Sequence, residues 1–324
     1  MSTTTVTTEG VAASTDALRR ILANPWSYFP NMVGGDLVGL GQIGPHRFLA
    51  AFGKTWSSGT PSQNDPPLFS SPVVGGPRVF DIDSGQGYVS EITPSLLIAP
   101  NVSLRAAVMA GSGMHLIAST NTGTHAQFVQ HFASSTVRNL QEKPLSPSVY
   151  SNGSKHAVEW DRGAAPDTHG FFALGADSSN RLYASRVTTR LTRLEGYDPS
   201  RRSYLSDTGW TSAPVEQTPI CRVGGEPLTS SVPVGIVHRR QWWYLLLPKQ
   251  IGPSWGWELL RSSSLTSPFR SIRDIPGVTA GPSPARFLPG IVLNTEPELP
   301  QGVAWCHSPE TSNTFVPRLE QLQF

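Results

Sequence analysis

Cysteine is almost missing from this chain. Cys221 and Cys306 are far apart and in no paired spacing. That excludes a disulfide framework and the clustered thiols of a zinc site. Two readings of the pair stay open: one bridge between them, or two buried free thiols. Charge is also scarce, at 15% of residues with a net of +2. Such a balance gives no overall attraction to nucleic acid or acidic membranes, so neither is expected as a partner. No run of about 18 apolar residues occurs, so no helix is expected to cross a bilayer. The opening stretch "MSTTTVTTEGVAASTDALRRILANPW" lacks the basic start and apolar run of a secretory signal. The chain is expected to act inside the cell that makes it or to leave by another route.

The short catalytic signatures are missing too. There is no GxxxxGK loop for phosphates. "GLGQIG" (39–44) has the spacing of a dinucleotide loop but runs into Pro45 instead of a helix. The eight histidines form no HxH or HExxH pattern, so no metal and no cofactor is expected. His131, in "FVQHFASS", has two readings: a pocket residue or a satisfied structural one.

What is abundant points to β structure. The 30 glycines and 29 prolines, with many Ser and Thr, favour short strands and tight turns over long helices. Only the beginning reads as helical: Thr15 or Asp16 caps a short helix with Leu18, Ile21 and Leu22 on one face. A Thr-rich arm precedes it. After Trp26 the strand-like runs include 47–53, 95–100, 104–110, 114–120, 156–160, 170–176, 181–187, 232–238, 241–248 and 255–263. The segments 104–120, 170–187 and 232–248 each read as a hairpin. Similar sheets recurring at intervals of about 60 residues suit an all-β propeller better than a sandwich or barrel. The expected organisation is an arm and helix over 1–30 and a propeller over 31–324. An irregular Pro-, Gly- and Ser-rich insertion is expected near 57–94.

The first hairpin, "GGDLVGLGQIGPHRFLAAFGKTW" (34–56), turns at Gly44 and Pro45. A regular register sets Asp36 opposite Lys54 at its open end. One reading is a cross-strand ion pair contributing ~0–1 kcal/mol. The other is a pair inside a pocket. Trp56, just beyond, is the candidate platform for a sugar ring, while Trp160, Trp210, Trp255 and Trp257 read as packing. Trp242 and Trp243 are neighbours on one strand, so only one of them faces the core. Asn101 and Arg105 follow the run ending at Pro100, where a loop reaches a pocket or simply turns. Glu226, after Gly224 and Gly225, is either a loop carboxylate or a pocket one.

Several motifs, in order, resemble one family. "GGDLVGL" is similar to its opening Asp-Leu-Gly strand and "FLAAFGKTW" to its Phe-Gly-Asp-Thr strand. "HGFFALGADSSNRLYASRV", "LEGYDPSRRSYLSDTGW" with "APVEQTPI", "GGEPLTSSVPVGIVHRRQWWYLLL" and "ELLRSSSLTSPFRS" resemble its later blades. The family is the actinobacterial five-bladed β-propellers that include endo-D-arabinanases. The resemblance implies five blades and carboxylates at the ends of the first two strands as the catalytic pair. Asp36 matches the first, and Lys54 stands where the second Asp belongs.

Glycoside cleavage needs two carboxyl groups, and an ammonium cannot replace the nucleophile. A lysine beside Asp36 also favours its ionised form, making it a poor proton donor. Glu226, or Asp81, Asp83 or Glu91 from the insertion, is a possible second acid. Three functions follow from this pattern. One is a propeller that binds cell-wall arabinan without turnover, carried on a phage tail or virion by its N-terminal arm. Another is an active endo-acting hydrolase on arabinan. The third is a scaffold propeller with no sugar partner.

Overall fold

Gly44 ends β1 (Gly34–Gly44) and Arg47 begins β2 (Arg47–Ser57), so the expected hairpin is present. Gly35 faces Thr55 and Leu37 faces Phe52, leaving Asp36 alone opposite two residues, Gly53 and Lys54. That is a β-bulge. A second irregularity follows at once, because Val38 is the extra residue between the Leu37–Phe52 and Gly39–Ala51 pairs. The two offsets cancel, and the ladder regains its phase.

The computed structural model describes residues 8–29, 32–44, 46–57, 73–93, 102–110, 113–120, 125–133, 136–137, 158–167, 170–188, 202–239, 241–275, 287–292, 301–307 and 316–322. The expected strand at 95–100, the first seven residues of the arm and Asn101 lie outside these.

The hairpin grows outward into a sheet. β4 (Arg78–Asp83) pairs with β2, β5 (Tyr88–Glu91) pairs with β4, and β3 (Val73–Gly75) extends the end of β2. The segment 57–94 is therefore not an irregular insertion throughout. Its Pro, Gly and Ser are concentrated before Val73, whereas Val79, Phe80 and Ile82 form a fully buried strand. A short apolar run bounded by turn residues is a strand signal that the composition of the whole segment had masked.

Four more antiparallel sheets follow among the described residues. The second holds β6 (Val102–Ala110), β7 (Gly113–Thr120), β8 (His125–Ala133) and β9 (Thr136–Val137). The third holds β10 (Glu159–Asp167), β11 (Gly170–Ala176), β12 (Leu182–Thr188), β13 (Arg202–Ser206) and β14 (Gly209–Thr211). The fourth holds β15 (Gly235–Arg239), β16 (Trp242–Ile251), β17 (Ser254–Ser262) and β18 (Arg270–Ile275). The fifth holds β19 (Phe287–Val292), β20 (Gln301–His307) and β21 (Val316–Leu322). The three hairpins expected from sequence are β6–β7, β11–β12 and β15–β16.

The first strand of each sheet lies against the first strand of the next: β1 on β6, β6 on β10, β10 on β15, β15 on β19, and β19 back on β1. A series of meanders arranged around one axis is a β-propeller. Neighbouring sheets approach closely because the contact points have no side chain. A Cβ on Gly39 would come within 2.2 Å of the Ala107 Cβ, and one on Gly53 within 2.4 Å of the Leu104 carbonyl oxygen. Between the third and fourth sheets, the Val234 N–H donates to the Arg162 carbonyl, and a Cβ on Gly163 would meet the Val234 oxygen at 2.6 Å.

The N-terminal helix is longer than the sequence suggested. α1 runs from Thr8 to Ala23 instead of starting at Thr15 or Asp16. Ala12 and Ala13 are strong helix formers and carry it back across the expected cap. At its other end the Asn24 side-chain amide donates to the Arg20 carbonyl at 3.2 Å, and Pro25 stops the helix. Leu18, Ile21 and Leu22 are buried in one cluster with Phe29 and the inner residues of the first sheet. Phe29 meets Phe52 and Phe80 edge-on at 5.5 and 4.8 Å. α1 also lies on β21, so it touches both the first and the last sheet.

The buried carboxylates Asp177, in the turn between β11 and β12, and Glu258, on β17, are paired. Asp177 Oδ1 accepts the Ser179 and Arg181 N–H groups at 2.9 Å, and its Oδ2 accepts Arg181 Nε at 2.7 Å. Burial opposes its charge, but these bonds outweigh burial and hold the carboxyl below its ordinary value. Burial likewise pushes the neighbouring Tyr183 hydroxyl up to about 12. Arg222 grips Glu258 with two bonds of 2.8 and 2.6 Å, which hold that carboxyl below its ordinary value against desolvation. Cys221 is a free thiol, not one half of a bridge, and burial raises its pKa.

Leu22→Ala should destabilise the fold by about 2–5 kcal/mol in urea titration. The pH dependence of stability has a definite sign. A carboxylate whose folded pKa is depressed contributes fully above its unfolded value and loses that contribution as pH falls through the folded one. Unfolding midpoints should therefore fall as pH drops below 4.5, the ordinary value for Glu258. Glu258→Gln should start less stable at pH 7 and lose less on acidification.

Candidate functional site

The first strands of the first two sheets run in the same sense. The Phe52–Leu37 end of the hairpin, through Gly53, meets Leu104, while Gly39, further along β1, meets Ala107, further along β6. Repetition about one axis keeps this sense around the ring, so the starts of all first strands share one mouth. β1 brings Asp36 there, β6 brings Arg105, and β10 brings Glu159 and Asp161.

Irregular pairing recurs at this mouth. Asp36 faces the Gly53–Lys54 bulge. Arg105 is the extra residue between the Leu104–Ala118 and Ala106–Ile117 pairs of β6 and β7. In β10 three residues, Trp160, Asp161 and Arg162, stand opposite Gly175 alone. β19 carries a further shift between Leu288 and Ile291. Bulges bend a strand and re-aim its side chains, and they gather beside active sites and barrel rims. In the first three sheets they coincide with charged positions of the first strands.

Arg162 ties the mouth to the fourth sheet. Its Nε donates to the Ser230 carbonyl at 3.2 Å, and its own carbonyl accepts the Val234 N–H. Trp160, between the two carboxylate-bearing positions, is buried with Val108, Phe171 and Tyr183 where the second and third sheets meet. It anchors the start of β10, the packing role expected of it.

The other site candidates are dispersed. Lys54 lies in the bulge opposite Asp36, and Arg105 lies at the same mouth. Trp56 is only 6% exposed, so it is part of the wall and not an open platform. Its carbonyl accepts the Val33 N–H at 2.7 Å, and its backbone is flanked by Gly34 and Val74. His131 is on β8, the third strand of its sheet, opposite Gly113. Gly113 in turn faces Ala110 at the far end of β6, so His131 is distant from the mouth in both radius and height.

Glu226 is exposed on a turn whose backbone bonds join Arg222, Ile220 and Phe269. Phe269 leads into β18, the outer strand, so this turn belongs to the periphery of the fourth sheet. The three acids of 57–94 weighed as a second carboxylate, Asp81, Asp83 and Glu91, are engaged elsewhere. Asp81 is buried and paired with Arg47, Asp83 Oδ1 accepts the Gly85 and Gln86 N–H groups at 3.0 Å, and Glu91 accepts from Thr93 at 2.7 Å. Of the four tryptophans expected to pack, Trp210 is 36% exposed, although its ring lies 5.5 Å from that of Phe172.

Glu159 and Asp161 are the residues that sequence reasoning missed. The stretch "EWDRG" (159–163) held the signal: two acids around an anchoring aromatic, an arginine and a glycine at the start of a strand. Among the described residues, no three His, Cys, Asp or Glu side chains converge as metal ligands.

Solved structures share this arrangement. A protein of Bacteroides ovatus to which a hydrolase activity has been ascribed matches with a TM-score of 0.55 and 12% identity, over 90% of this chain and 86% of that one. The catalytic domain of the Coprinopsis cinerea GH62 α-L-arabinofuranosidase matches with a TM-score of 0.51 and 12% identity, over 93% of this chain and 94% of that one. The chain has their fold. At these identities the likeness is one of architecture. No family model and no curated protein matches the sequence.

Trp56→Ala tests the corrected place of that residue. As a wall residue it should cost about 3–5 kcal/mol of stability in denaturant titration. A selective loss of sugar binding with an unchanged unfolding midpoint would return it to the surface.

Proposed function

We propose that this protein is a carbohydrate-active propeller that binds an arabinan-type furanoside polymer at the mouth and cleaves it there. One observation carries the reading: carboxylate-bearing residues begin the first strands of two different sheets at the same end of the axis, Asp36 on β1 and Glu159 and Asp161 on β10. Glycoside hydrolysis uses one carboxyl as acid and another as base or nucleophile, on opposite sides of the scissile bond. Two sheets flanking one axis suit that division better than two neighbours on a hairpin.

Lys54 then has a place in the chemistry. An ammonium near a carboxylate favours the ionised form, and the base or nucleophile must be ionised. Asp36 takes that role, and the proton donor comes from Glu159 or Asp161 on the third sheet. Arg105, near the start of β6 at the same end, is assigned to the sugar hydroxyls. The architecture shared with an arabinofuranosidase supports the choice of a furanoside.

Lys54 at the bulge also favours a second reading, a mouth that binds the polymer without turning it over. The setting proposed for that reading is a phage tail tip meeting a cell wall. Its docking element would be the arm over residues 1–7, because the apolar face of α1 is packed inward.

Purified protein incubated with arabinan should release soluble oligosaccharides and also sediment with the polymer. Asp36→Asn should lower release by about 10²–10⁴-fold while retaining sedimentation, and Asp161→Asn or Glu159→Gln should do the same for whichever is the acid. Sedimentation without release from the wild type would establish the binding reading. Neither signal would leave a scaffold.

A further inference from the structure

The end of the fourth sheet opposite the mouth carries two arginines that face each other. Arg261 on β17 stands directly across from Arg270 on β18. Like charges in that position repel and weaken the pairing of the strands. Elsewhere in the sheet cations have carboxylates: Lys249 holds Asp274 at 2.9 Å, and Arg222 holds Glu258 at 2.6 Å. Among the described residues, neither Arg261 nor Arg270 has an ion-pair partner.

Aromatic groups continue the row. The Arg261 guanidinium lies 4.3 Å from the centre of the Trp242 ring, and Tyr244 is its neighbour on β16. Trp242 faces Arg239 at the end of β15, which places the whole group away from Asp36 and Glu159. Arg270 is exposed, and Trp242, Tyr244 and Arg261 are half-buried. The turn between β17 and β18 adds hydroxyls at the same end, with Ser264 Oγ 2.6 Å from Thr266 Oγ1 and 3.1 Å from Ser267 Oγ.

We propose that this row is a second binding surface, for a carboxylate-bearing polysaccharide. The unpaired arginines supply charge-assisted hydrogen bonds to uronate groups, and a bound carboxylate relieves their repulsion. Trp242, one face of which carries the Arg261 guanidinium, and the half-buried Tyr244 offer the sugar rings apolar contact, and the turn hydroxyls border them. This surface differs in charge from the mouth, where the acids Asp36, Glu159 and Asp161 are matched by Lys54, Arg105 and Arg162. It does not depend on the mouth being catalytic.

The test uses the full chain and polygalacturonate, by calorimetric titration at low and high salt, with neutral arabinan as control. Wild type should bind polygalacturonate, more weakly as salt rises. Arg270→Gln should bind at least about tenfold more weakly, the loss of one charge-assisted bond. Arg270→Glu should abolish binding yet raise the melting temperature, because it replaces a repulsive cross-strand pair with an attractive one. Both variants should keep the wild-type response to arabinan, so failure here is distinguishable from failure at the mouth. Polygalacturonate that does not bind, or that binds the Arg270 variants as well as wild type, overturns the proposal. So does Arg270-dependent binding of inorganic phosphate without binding of the polymer, which marks a bare anion site.

Discussion

A ring of sheets holds only if the last one meets the first. Here β19 packs against β1, and α1 lies on both the first sheet and β21. Leu18, Ile21 and Leu22 enter the core that Phe48, Phe52 and Phe80 build. The helix thus covers the seam where the two ends of the chain come together. Local antiparallel pairing accounts for each sheet, but the mouth exists only because this seam is shut. Loss of the seam would let the first strands part, and the charged positions at their starts would no longer lie at one end of a closed ring.

The sheets also need room to approach one another. Gly39, Gly53 and Gly163 sit where a side chain would strike the next sheet's backbone or Cβ. Gly53 does this while forming half of the bulge that opposes Asp36. Packing between sheets and the shape of the mouth are therefore not separable at that point. A hairpin without the bulge would present a different residue at the axis, and a bulge without the glycine would not fit against Leu104.

The pattern of local signals in the sequence carried much of the fold. Turn residues at Gly44–Pro45, Ala110–Gly113 and Ala176–Asn180 marked hairpins because tight turns use a narrow set of residues. The fourth sheet was visible in "QWWYLLLP", including the division of Trp242 and Trp243 between half-buried and buried positions. What could not be read was long-range. Trp56 resembled a platform because its burial depends on partners as distant in sequence as Val74. Glu226 resembled a pocket acid because nothing local showed that its turn would join Phe269. Glu159 and Asp161 passed unnoticed because only the ring of sheets relates them to Asp36, more than 100 residues earlier in the chain.

The paired irregularities of the first hairpin bear on how such a sequence can change over generations. In a strand, a slip of one residue sends every later side chain to the opposite face. The extra residue on β2 opposite Asp36 makes such a slip, and Val38 on β1 reverses it, so from Gly34 to Gln42 only the Leu37–Phe52 pair is out of phase. Beyond it Phe48 and Ala50 still point into the core. A single insertion or deletion on either side would turn the rest of the hairpin inside out, whereas two matched deletions would leave a straight ladder with its core intact. Length variation in this segment should therefore occur in compensating pairs, and a relative with a straight first hairpin would have shortened both strands together.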